Sequence, residues 1–74
     1  MVVLGYLEYV RRRETGDYAK CADDILKEMT KRPMRVIWRA MNRAYHRGFI
    51  ECGVSIRTGW ATQEGIEIVA RHAS

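Results

Sequence analysis

No hydrophobic run in the sequence approaches the ~20 residues that a bilayer-spanning helix needs, and the longest, "MVVLGYLEYV", reaches about half of that. No membrane partner is expected. A secretory signal places its positive residues before the apolar stretch, whereas Arg11, Arg12 and Arg13 come after it and no small-residue cleavage site follows. Cysteine is scarce. Cys21 and Cys52 are too few for a disulfide framework, and without an export signal two reduced thiols in a cytoplasmic protein are expected. His46 and His72 bring the potential zinc ligands to four, but no C-x-x-C or H-x₃₋₅-H spacing joins them, so no metal is expected.

Catalytic signatures are missing as well. There is no Gly-rich phosphate loop, no nucleophile elbow and no histidine cluster. Asp23 and Asp24 adjoin in sequence and would point about 100° apart on a helix, which does not make a paired-carboxylate site. A chain of 74 residues buries only about 60% of the surface its unfolded form exposes. Little room remains for a substrate-enclosing pocket, so no enzyme, cofactor or small-molecule ligand is expected.

What the chain does have is a composition of 47% apolar and 30% charged residues, which fits one soluble globular domain over residues 1–74. Its net charge is +4. That excess is concentrated in "KRPMRVIWRAMNRAYHRG", where Lys31, Arg32, Arg35, Arg39, Arg43 and Arg47 occur without one carboxylate. The rest of the chain carries more negative than positive side chains. Charge runs on helices are usually solvated faces, but those normally interleave both signs for i,i+4 pairing, and here only one sign is present. The pattern points to a polyanionic partner.

Periodicity orders the elements. Val3, Leu7 and Val10, with Leu4 and Tyr6 alongside, predict an amphipathic helix over about 2–13; Gly5 weakens it, and the β-branched and aromatic content makes a strand the alternative. Gly16 reads as a helix stop and Asp17 as an N-cap for a second helix over about 18–29, with apolar positions Tyr18, Ala22, Ile25, Leu26 and Met29. The single proline, Pro33, suits the first turn of a third helix over about 33–47. Gly48 ends it. "GFIECGVSIRTGWAT" has no helical period and reads as a β-hairpin over about 49–61, with bends at Gly53 and Gly59. Thr62 then caps a last helix over about 63–72, with Ile66, Val69, Ala70 and Ala73 at helical spacing. The expected class is mainly α with a small β-hairpin (α+β), in the order α-α-α-β-β-α.

On a wheel of about 100° per residue with Met34 at zero, Ile37, Met41, Ala44 and Tyr45 share roughly 100° of arc. Arg35, Arg39, Arg43 and Arg47 fall at about 100°, 140°, 180° and 220° on the same wheel, centred opposite the apolar arc. One face is expected to be dry and the other lined with guanidinium groups. Trp38, at about 40°, borders the core and reads as packing, and Trp60 is expected to cover the hairpin. The tyrosines at positions 6, 9, 18 and 45 read as structural rather than as stacking platforms. Arg11, Arg12 and Arg13 sit where cations favour the end of a helix dipole, with phosphate contact as the alternative.

The segment "VIWRAMNRAYHRGFIE" resembles the stretch of winged helix-turn-helix domains in which a recognition helix leads into the wing. There an apolar residue, Arg, two spaced aliphatic positions and "GLIE" are matched here by Ile37, Arg39, Met41 with Ala44, and Gly48-Phe49-Ile50-Glu51. "ATQEGIEIV", Ala61 to Val69, is similar to the "LTEKG" segment of MarR-type regulators, and the likeness covers about residues 4–70. Ala44 and Ala61 stand where larger aliphatic residues are usual, and "TKRP" replaces the commoner Gly-containing turn.

The resemblance implies a small transcriptional regulator that binds double-stranded DNA sequence-specifically. The first half of a recognition helix enters the major groove most deeply, so Arg35, Arg39 and Asn42 are expected at base edges. Lys31, Arg32, Arg43 and Arg47 would then contact the DNA backbone. The resemblance further implies that Arg57 and Thr58, near the wing tip, reach backbone or minor groove. A homodimer is expected, with the N-terminal helix (Val2, Val3, Tyr6, Tyr9) and the last helix as candidate surfaces. Alternatives are a winged-helix protein-interaction module docking an acidic partner through its Arg face, a recombination accessory factor of the phage excisionase kind, and an RNA binder.

Overall fold

Val2–Glu14 form α1. Its buried stripe is Val3, Gly5, Tyr6 and Tyr9, while Leu4 and Leu7 face outward. This corrects the sequence expectation, which put Leu7 inside and offered Val3, Tyr6 and Tyr9 as dimer surface. The reason lies at Gly5, whose missing Cβ leaves space that the Leu26 side chain fills. Close approach at Gly5 rolls the helix so that two tyrosines, not two leucines, enter the core. The fully buried Tyr6 donates its hydroxyl to the Ile56 carbonyl, and burial pushes its pKa well above the ordinary tyrosine value.

The last turn of α1 holds Arg11, Arg12 and Arg13. Arg11 and Arg12 both pair with Glu8, at 2.6 and 2.7 Å, and their hydrogen bonds lower the Glu8 pKa to about 2. Arg13 donates to the Tyr9 hydroxyl at 2.7 Å and lies over the Tyr18 ring, 4.9 Å from its centroid. Gly16 takes φ +88°, a left-handed conformation that stops the helix as expected.

Helix α2 spans Ala22–Thr30, four residues shorter at its start than the sequence reading. Asp17 is not its N-cap, since Asp17 Oδ1 instead accepts the Ala19 N–H in a local turn. Cys21 is the N-cap, and Asp24 accepts the Cys21 N–H at 3.2 Å in a capping box. Tyr18 is thereby left outside the helix and 66% exposed, and Met29 is also exposed. Lys31 ends α2 at φ 60°, so a lysine holds the left-handed position that glycine usually takes.

Pro33 caps α3, Met34–His46, and Gly48 follows it at φ +78°. Strands β1 (Ile50–Glu51) and β2 (Trp60–Ala61) pair antiparallel, Ile50 opposite Ala61 and Glu51 opposite Trp60, around a 3₁₀ turn at Ile56–Thr58. Helix α4 spans Gln63–Ala73. Thr62 caps it, accepting the Gly65 N–H at 3.1 Å and donating to the Gly48 carbonyl at 2.6 Å. The half-buried residues of α4 are Ile68 and Val69, whereas Ile66 and Ala70, expected inside, are exposed. Gly65 explains the rotation, because it sits directly against the Phe49 carbonyl and turns that side of α4 toward β1.

The computed structural model describes residues 1–73. Ser74 and the Ala73 side chain lie outside the described residues, and with them the expected apolar role of Ala73. The class is α+β: four helices and one small antiparallel sheet in the order α-α-α-β-β-α. Ile25, Leu26, Met41 and Ile50 are almost wholly buried between α1, α2, α3 and β1, each side chain worth ~1.5–3 kcal/mol of transfer free energy. Among the described residues, no helix is long and apolar enough to cross a membrane.

The glycine contacts predict an ordering. Ala in place of Gly in a helix interior normally gains ~1 kcal/mol of propensity. At Gly65 the new methyl meets a backbone carbonyl that cannot yield, so Gly65→Ala should lower stability by ~1–3 kcal/mol in urea unfolding. Gly5→Ala should lose less, because Leu26 can change rotamer.

Candidate nucleic-acid interface

Helix α3 separates its side chains by chemistry. Ile37, Met41 and Ala44 are buried and Met34 is half-buried, as the wheel predicts. Tyr45 departs from that wheel: it is 42% exposed and packs edge-on against the His46 ring, 5.7 Å between centroids. At the edge of a narrow apolar arc, a long ring reaches past the core to solvent.

Arg35, Arg39, Arg43 and Arg47 are all exposed, as are Lys31 and Arg32 at the entry to the helix. Among the described residues none of the six enters an ion pair, whereas Arg11, Arg12, Lys20 and Arg57 do. Helix α3 has no carboxylate of its own. Guanidinium groups at 35, 39, 43 and 47 therefore repel one another at i,i+4 spacing, each pair opposing the helix by ~0.2–0.5 kcal/mol. Asn42 is exposed beside them, its amide donating to the Trp38 carbonyl at 3.0 Å.

One flank of this ridge is built on Asp23, which the sequence expectation weighed only as half of a carboxylate pair and set aside. Asp23, in the first turn of α2, is 1% exposed. Its Oδ2 accepts Trp38 Nε1–H at 3.0 Å and Arg57 Nε–H at 2.8 Å, and its Oδ1 accepts the Asp24 N–H at 3.0 Å. Every buried side-chain polar atom among the described residues has a partner. A clue existed in the sequence, since an indole at the border of a core needs an acceptor for its N–H. The Trp38 ring itself is 49% exposed, so it borders the core rather than filling it.

Arg57 and Thr58 do not join the α3 group. Arg57 binds Asp23 and lies 3.5 Å from Asp24, and Thr58 donates its hydroxyl to the Ser55 carbonyl at 3.2 Å. The apex of the hairpin is instead the fully exposed Val54. Trp60, expected to cover the hairpin, is 45% exposed, because the register sets it opposite exposed Glu51 on the outer face of the sheet while Ala61 and Ile50 face inward. Cys21, Asp23 and Asp24 bring ligand-type atoms within 4.8 Å of one another. Those groups are engaged by the capping box, by Trp38 and by Arg57.

The structure thus gathers Lys31, Arg32, Arg35, Arg39, Asn42, Arg43 and Arg47 on α3 and its entry, and turns Arg57 and Thr58 back onto the protein. No family model, curated protein or solved structure matches this chain.

Asp23→Ala should lower stability by ~1–3 kcal/mol, since it removes the acceptor of both the part-buried Trp38 indole N–H and the Arg57 guanidinium. Arg57→Met, at a half-exposed partner, should lower it by only ~1 kcal/mol. A double-mutant cycle in urea should return a coupling of ~0.5 kcal/mol or more. Lys31→Gly should move the other way, raising stability by ~0.5–1 kcal/mol by relieving the left-handed lysine.

Proposed function

We propose that this chain is a small cytoplasmic transcriptional regulator that binds double-stranded DNA as a winged helix-turn-helix. In this reading α2 and α3 form the helix pair, α3 enters the major groove and the 50–61 hairpin is the wing. The observation that carries the reading is the unpaired arginine ridge: guanidinium groups on the exposed face of one helix whose opposite face is packed into the core. Self-repulsion along that ridge is relieved when phosphates neutralise it.

Arg35, Arg39 and Asn42 are assigned to base edges, Arg favouring guanine O6 and N7 and Asn favouring adenine. Asn42 must exchange its bond to the Trp38 carbonyl to do so. Lys31, Arg32, Arg43 and Arg47 are assigned to phosphates. Arg57 serves to hold the hairpin against α2, and a phosphate contact from it requires release from Asp23. Two copies on half-sites about one helical turn apart would supply specificity that a single small module seldom reaches. The exposed Leu4 and Leu7 are the α1 side chains free for that contact.

Gel shift on random duplex DNA tests the reading. With four to six phosphate contacts, log affinity should fall against log salt with a slope on the order of −4 to −5. Lys31→Gly, although more stable, should flatten that slope by about one. At a site selected from a random library, Arg35→Ala and Arg39→Ala should each cost ~1–3 kcal/mol and relax base preference locally. Absence of duplex binding at about 100 mM salt would favour an Arg face that docks an acidic protein.

A further inference from the structure

The flank of α3 away from Trp38 opens into two adjoining grooves. One, of about 500 Å³, lies between the start of α1, the second half of α3 and α4, and is walled by Val3, Ala44, Phe49, Ile68 and Val69. The other, of about 470 Å³, continues along the first half of α3 past Leu26, Met29, Val36 and Ile37. They share Met1, Val2 and Ala40. A single trough therefore follows α3 from Val36 to Arg47, roughly 16 Å at 1.5 Å per residue.

The charge of its rim is one-sided. Arg43, Arg47 and His72 border the first groove and Arg32 the second, and among the described residues no Asp or Glu lines either. The nearest carboxylates lie past the opposite walls, Glu8 in the cleft beyond Leu4 and Met29 and Glu64 with Glu67 beyond Phe49 and Ile68, so the basic side of the rim is the α3 side. A long apolar floor beside a basic α3 rim suits an aliphatic stripe flanked by acids better than a duplex, whose outer surface is phosphate and sugar. A second copy is disfavoured too, because a two-fold contact through this face sets Arg43 and Arg47 of both copies together without an acid.

We propose that the trough receives an amphipathic α-helix of a partner protein, its apolar stripe bordered by Glu or Asp. About three helical turns match the length, with apolar side chains at i, i+3, i+4 and i+7 in the floor and carboxylates toward Arg32, Arg43 and Arg47. All three of those arginines are also assigned to phosphates, so the partner helix and a duplex exclude one another. That competition rests on the duplex reading; the docking does not.

The test uses the full chain and a fluorescent 15-residue peptide with Leu at helical spacing between Glu residues, followed by anisotropy at about 100 mM salt. Saturable binding is expected, and about tenfold weaker binding for the same peptide with Lys in place of Glu. Val2→Glu and Ala40→Glu each put a carboxylate into the shared floor, with folding checked by circular dichroism. Either variant should weaken the Glu peptide about tenfold and strengthen the Lys peptide. Equal binding of both peptides, or folded variants that change neither, overturns the proposal. So does binding of laurate but not the peptide, or self-association that Val2→Glu abolishes without peptide binding. Peptide binding that is sensitive to Val2→Glu, in a chain that binds no duplex, supports the trough and removes the DNA reading; the reverse result removes the trough alone.

Discussion

A single buried carboxylate ties the three working parts of this fold together. Asp23 takes one donor from the indole of α3, one from the guanidinium of the hairpin turn and one from the backbone of its own helix. An ionised acid away from water is costly unless each lone pair finds a donor, and the donors are strengthened by the same low dielectric. The three donors therefore act together on one acceptor. If α3 rolls, Trp38 leaves Asp23, and if the hairpin swings, Arg57 does. Such a network contributes less to net stability than to a unique arrangement, here the angle between α3 and the hairpin.

The distribution of the other charges follows a similar logic. Glu8 answers Arg11 and Arg12, Glu28 answers Lys20, and Asp23 with Asp24 answers Arg57. These acids sit on the α1–α2 side and face the hairpin turn, while α3 has no carboxylate of its own and none of its arginines is ion-paired, which leaves it an unbalanced surface. Helix α3 persists despite its internal repulsion because Ile37, Met41 and Ala44 are anchored in the core. The proposed duplex partner and the proposed acidic helix are two ways of supplying the anions that the chain withholds from this face.

Close backbone approach sets the remaining geometry. Gly5 lets α1 and α2 touch, and Gly65 lets α4 press on the Phe49 carbonyl. In both helices the glycine rotates the buried stripe away from the one that apolar spacing indicates. Lys31 does the opposite: it accepts a left-handed backbone where a glycine would be relaxed, and keeps a cation at the entry to α3.

Element order, the class of each element, the stops at Gly16 and Gly48, the Thr62 cap and the two faces of α3 were legible in the sequence. They depend on neighbours within about one helical turn, where side-chain periodicity and capping chemistry act. The start of α2 was misplaced because Asp17 and Cys21 both offer a capping group, and only the reciprocal bond to Asp24 favours the second. The roll of α1 and α4, the commitment of Arg57 to Asp23 and the exposure of Trp60 were decided in three dimensions. The two rolls and the Arg57 pairing each depend on a residue well beyond the local helical turn, Leu26 for Gly5, Phe49 for Gly65 and Asp23 for Arg57, and the exposure of Trp60 depends on its register with Glu51. No local pattern encodes which distant surface will fill the space that a missing Cβ leaves, or which buried acid will claim a particular arginine.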